Sequence, residues 1–143
     1  MSALRRPDAG ADPALFGAAL ATAARAAFSI DVPLARQLAE QAVQVARRLG
    51  DDRLLIESLG ALGAACFLAG ELEAGLPFGQ ESVERARRLG DDVLLGRSLQ
   101  QYLMTIGTID PARSLPLYAE AIACTERSGD HLTNAFLQTT RAA

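Results

Sequence analysis

A seven-residue phrase occurs twice in this chain, 40 residues apart. Ala46-Arg47-Arg48-Leu49-Gly50-Asp51-Asp52 returns as Ala86-Arg87-Arg88-Leu89-Gly90-Asp91-Asp92. A weaker third copy, Thr125-Glu126-Arg127-Ser128-Gly129-Asp130-His131, follows 39 residues further on. The likeness runs past the phrase. Leu54, Leu55, Ser58 and Leu59 reappear as Leu94, Leu95, Ser98 and Leu99, and Leu76-Pro77 reappears as Leu115-Pro116 at the 39-residue shift. A one-residue deletion in the loop between helices accounts for the shorter shift. A period of this length marks a unit that cannot bury its apolar face alone and stacks on its neighbours.

The phrase reads as a helix end followed by a helix start. Arginines in a last turn face the negative end of the helix dipole. Gly50 and Gly90 suit the left-handed position just past a helix. Asp51 or Asp52, and Asp91 or Asp92, then accept the free N–H groups of the next helix. A second break lies inside each unit, at Ser29-Ile30-Asp31-Val32-Pro33, at Ala69-Gly70-Glu71 and at Gly107-Thr108-Ile109-Asp110-Pro111. Pro111 suits a first helical position.

Between the breaks the apolar residues have helical spacing. Leu38, Ala42, Val45 and Leu49 form one stripe, with Arg36, Glu40, Gln44 and Arg47 opposite. The pattern predicts helices over 13–28, 33–49, 52–69, 72–89, 92–107, 111–128 and 131–142. Residues 1–12 read as a flexible leader. Repeats follow at 13–50, 51–90 and 91–129, with a half-repeat at 130–143. Pro77 and Pro116 fall several residues into their helices, where each leaves a carbonyl one turn back without its donor. A bend, or a loose opening turn, is expected at both.

Charge and composition narrow the function classes. The net charge is −3, so a direct phosphate-binding role is disfavoured. All 14 basic residues are arginine, a usage associated with high-GC bacterial coding. Aromatics make up 5%, which favours closely packed thin helices over a β-sandwich. Cys66 and Cys124 sit in apolar helical patterns and read as reduced core thiols. No apolar run reaches the ~20 residues of a membrane helix. The opening residues lack the apolar centre of a signal peptide, so a cytoplasmic location is expected.

Catalytic signatures are missing. His131, the single histidine, falls where Asp52 and Asp92 fall, in an exposed first turn, and no partner set surrounds it. There is no phosphate-binding glycine loop and no nucleophile elbow. Glu81 and Glu84 share a face with Arg85 and Arg88, which ordinary surface pairing explains. The repeated arginine pairs have two readings: compensation of helix dipoles, or a ladder for an acidic partner. No enzyme activity, metal or cofactor is expected.

Leu62-Gly63, Gly70-Glu71, Ala74-Gly75-Leu76 and the arginine-rich end at Gly90-Asp91 resemble the tetratricopeptide repeat. The closest likeness is to the variant of about 40 residues found in sensor regions of large bacterial ATP-binding transcriptional regulators of the LuxR type. The resemblance spans residues 13–142. It implies an all-α fold, a right-handed α-solenoid of about three and a half hairpins, with a concave groove lined by the first helix of each hairpin. Three features depart from the family: Tyr118 stands where Gly79 is small, Cys66 replaces a usual aromatic, and the lysines of peptide-clamp members are absent.

Helical spacing and the resemblance together place Glu57, Gly60, Ala64 and Phe67 in that groove, and Arg97, Gln100, Gln101 and Met104 in its next segment. The alternative is that several of these pack against a neighbouring helix. A groove of this mixed character suits a partner protein or peptide, and in a second reading a small-molecule effector. Association of copies through their end faces is a further expectation.

Overall fold

The computed structural model describes residues 12–142. The expected leader lies outside them except for Asp12, whose carboxylate caps the first helix by accepting the Ala14 N–H. Seven helices fill the described residues: α1 (Pro13–Ala27), α2 (Val32–Leu49), α3 (Asp52–Leu68), α4 (Leu72–Leu89), α5 (Asp92–Ile109), α6 (Pro111–Ser128) and α7 (His131–Ala142).

The chain reverses through the repeated glycine–aspartate step. Gly50, Gly90 and Gly129 adopt φ of 65°, 75° and 73°, a region closed to most side chains. In each aspartate pair the first member is the cap. Asp51 accepts the Leu54 N–H and Asp91 the Leu94 N–H, both at 3.0 Å. Asp52 and Asp92 are already helical. Asp130 repeats the device on Thr133.

α5 runs two residues beyond the expected 107. Thr108 keeps its hydroxyl on the Met104 carbonyl, and the helix stops only at Asp110, the residue before Pro111, where helical backbone is disfavoured. Both α4 and α6 start ahead of their internal prolines and pass through them unbroken. α4 closes its first turn with the Gly75 N–H on the Glu71 carbonyl, whereas α6 opens on a tighter bond from Arg113 to Asp110.

Each helix packs on the next in sequence. The backbones of the odd helices α1, α3, α5 and α7 also approach one another in order, while those of α2, α4 and α6 approach only odd helices. Two layers result, one continuous and one spaced. An alanine-rich core joins α1, α2 and α3 around Leu20, Leu38, Leu59 and Leu62. A second joins α3 to α7 around Ile56, Leu99, Ile106 and Leu137. Cys66 and Cys124 are free, buried thiols, and burial pushes both above the ordinary thiol range.

Glycines set the α3–α4 distance. A methyl group at Gly75 would sit 2.8 Å from the Cys66 Cβ and 3.1 Å from the Gly63 carbonyl oxygen. Gly107, in α5, has nothing within 4 Å of that position. The two sites therefore respond oppositely to one substitution. Gly107→Ala is expected to stabilise by about 0.5–1 kcal/mol through helix propensity alone. Gly75→Ala is expected to destabilise by about 1–3 kcal/mol, because overpacking outweighs that gain. Urea unfolding midpoints check both; equal responses would show that the close approach is not rigid.

One buried polar link crosses the helices. The Ser82 hydroxyl donates to the Ile56 carbonyl at 2.8 Å and lies 3.0 Å from the Ser98 hydroxyl. One repeat earlier Ala42 occupies the position of Ser82, and Ser58, the counterpart of Ser98, is fully buried with no hydrogen-bond partner among the described residues. Ser58→Ala is expected to raise stability by roughly 1 kcal/mol and Ser82→Ala to lower it by a similar amount. Thermal melts of the two variants should move in opposite directions.

Candidate partner-binding face

The spaced helices are tied by ion pairs at one-repeat intervals. Arg47 of α2 makes two hydrogen bonds to Glu81 of α4, at 3.0 and 2.8 Å. Arg87 of α4 does the same to Glu120 of α6, at 2.8 and 2.6 Å. The first arginine of each repeated pair is thus engaged within the chain. Arg48 and Arg88 are exposed and form no ion pair among the described residues. Glu81 also receives Arg85 at 2.8 Å, the helical pairing expected on that face. In the third copy Glu126 stands where Arg87 stood, and the arginine ladder ends there.

These contacts hold the carboxylates ionised. Hydrogen bonds from Arg47 depress Glu81 below the ordinary carboxylate range, and those from Arg87 do so for Glu120. Asp91 is depressed first by the Leu94 N–H it caps and then by Arg53. All lie near water, so each pair contributes only ~0.2–1 kcal/mol.

The continuous face offers space. A cleft of about 340 Å³ crosses all four odd helices, rimmed by Arg25 of α1, Glu57 of α3, Arg97 of α5, and Asp130 and Leu132 at the start of α7. Arg25 approaches Glu57 at 4.0 Å and Arg97 approaches Asp130 at 3.6 Å. Arg97 keeps 61% of its side chain exposed. A second cleft of about 430 Å³ lies among α5, α6 and α7, with Met104, Leu115, Tyr118 and Phe136 on its walls. Gln100 borders both.

The eight residues expected in one groove are distributed. Glu57, Arg97, Gln100 and Gln101 line the first cleft, and Met104 the second. Gly60 and Ala64 are buried and Phe67 is half-buried; none of the three borders either cleft. Gly60 lies under the Gln101 side chain, which occupies the space its missing Cβ leaves. Arg25, Asp130, Leu132, Leu115, Tyr118, Phe136 and Arg141 also border these clefts, and sequence spacing did not place them in the groove. A signal for Phe136 existed: at the repeat shifts it falls where Glu57 and Arg97 fall.

No protein-family model matches this sequence, and no curated protein is similar to it. No cluster of three or more histidine, cysteine or acidic side chains suited to a metal occurs among the described residues. His131 is exposed in the first turn of α7. No helix among the described residues is long and apolar enough to cross a membrane.

The depressed carboxylates fix a pH dependence. Their folded-state values lie below their unfolded ones, so the stability they contribute is present above the ordinary carboxylate range and is lost as pH falls through it. Unfolding free energy should stay nearly flat from about pH 7 to 5 and decline below about pH 4.5. Glu81→Gln should flatten part of that decline in urea titrations at stepped pH. An unchanged profile would remove Glu81 from the account.

Proposed function

We propose that this chain is a protein-interaction module, a tetratricopeptide-like right-handed α-solenoid whose odd-helix face takes a segment of a partner protein. The observation that carries the reading is the line of Arg25, Glu57, Arg97 and Asp130. One comes from each odd helix or its cap, the signs alternate, and all border one cleft. Alternating charge over a shallow apolar floor of Ile56 and Leu94 fits a polypeptide of mixed charge better than a polyphosphate, which wants one sign. The pairs at 4.0 and 3.6 Å are loose enough to exchange partners at little cost. The sequence resemblance to repeats in LuxR-type regulator sensor regions supports reading the module as part of a bacterial regulator or as a small adaptor of the cytoplasm. No cofactor enters the reading.

The test is peptide selection from a random display library. Peptides enriched on the wild-type chain are expected to bind a Glu57→Ala/Arg97→Ala variant at least about tenfold more weakly, ~1.4 kcal/mol, at an unchanged melting temperature. Equal affinity for both proteins, or amide shifts confined to α2, α4 and α6, would count against this face.

A further inference from the structure

The second cleft has a definite origin in the repeat. In the middle unit, Tyr102 of α5 seals the junction of α3, α4 and α5. Its ring is buried and lies against Gly79, where an added Cβ would meet the ring Cδ1 at 2.7 Å. Thirty-nine residues on, both partners change. Tyr118 stands in the place of Gly79 and Arg141 in the place of Tyr102. Arg141 does not fill the gap. It is exposed and donates to the Gln138 side chain at 3.0 Å. The junction of α5, α6 and α7 is therefore left unsealed as a space of about 430 Å³, within the range of small-ligand sites, ~300–1,000 Å³.

The walls of that space are mixed, with apolar surface from Leu103, Met104, Phe136, Leu137 and the Tyr118 ring. Polar groups come from the Gln100 amide, the Tyr118 hydroxyl, Arg141 and three further hydroxyls. Those three, on Thr108, Ser114 and Thr140, donate back to carbonyls of their own helices. Arg141 at the rim is the one charged side chain in the lining; neither aspartate nor glutamate borders the cleft. Arg141 makes no ion pair among the described residues. The composition is a cleft with an apolar share of wall, neutral polar groups and a single cation.

We propose that the α5–α6–α7 cleft binds a small organic acid, with its apolar body among Met104, Tyr118 and Phe136 and its carboxylate on Arg141. This site is independent of what lies along the odd-helix face. A guanidinium and a carboxylate form charge-assisted bonds that a neutral head group does not match. Burial of an aliphatic or aromatic body supplies the rest. The single charge distinguishes this ligand from a phosphorylated metabolite, which one arginine under-neutralises, and from a neutral sugar, which gives the guanidinium no counter-charge.

Octanoate and its neutral analogue octanol are the probes, with 3-phenylpropanoate and 3-phenylpropanol as the aromatic pair. Binding is read by amide chemical-shift titration of the 143-residue chain. Each acid is expected to bind about tenfold more tightly than its alcohol at low salt, with shifts centred on Met104, Tyr118 and Thr140. Arg141→Gln, an exposed change, should bring acid and alcohol level. Gly107→Leu tests the chamber itself, because Gly107 borders the cleft and a Cβ added there meets nothing within 4 Å. That variant should remain folded and lose both ligands. Equal affinity for acid and alcohol, a preference that survives Arg141→Gln, or no saturable binding at millimolar ligand would each overturn the proposal.

Discussion

The left-handed glycine followed by a capping aspartate is the constraint on which the rest of this molecule depends. At Gly50, Gly90 and Gly129 the backbone takes a conformation that L side chains resist, and the next residue at once satisfies the donors of a new helix. The reversal takes so few residues that successive helices must pack on each other. It also fixes their relative rotation, so apolar stripes meet and matched charges fall a repeat apart. A longer or looser turn would keep the helices and lose their register. The Arg47–Glu81 and Arg87–Glu120 pairs would be the first to separate, since the backbones of α2, α4 and α6 do not approach one another and long side chains alone bridge them.

The two layers divide the work of stability and recognition. Glycines bring α3 and α4 close, and the odd helices share one continuous contact surface, so apolar packing there fixes the geometry. The even helices are spaced and joined by half-exposed ion pairs that salt screens.

Most of the helical layout was legible because the turn chemistry is local. The repeated phrase located the helix ends to within two residues, the largest difference being at α5, where Thr108 bonds back into the helix and extends it. The clefts were less legible because they depend on long-range substitution. Gly60 reads as a groove residue by spacing alone, yet the Gln101 side chain of the next odd helix lies over it, a contact that no periodicity encodes. Phe136 and Arg141 did not read as cleft residues for a related reason: the half-repeat is the most divergent unit. Only by carrying the repeat shift through to α7 do these positions align with residues whose neighbours are known.

The departures from the repeat carry the distinct chemistry, and each has a partner. Where Ser98 meets Ser82, a buried hydroxyl pair links α4 and α5; where Ala42 replaces the serine, Ser58 is left alone. Where Tyr102 meets Gly79, the junction is sealed; where Tyr118 and Arg141 replace them, it opens. The first exchange alters one side of a contact and the second both sides, and either leaves the backbone frame unchanged. A repeat frame held by glycine, aspartate and small-residue packing tolerates such changes because they lie outside the turn that sets the frame. Local chemistry can then diverge from unit to unit while the stack persists. In this chain the divergence is greatest at α6 and α7, where the walls are aromatic, the rim is cationic and the arginine ladder ends at Glu126.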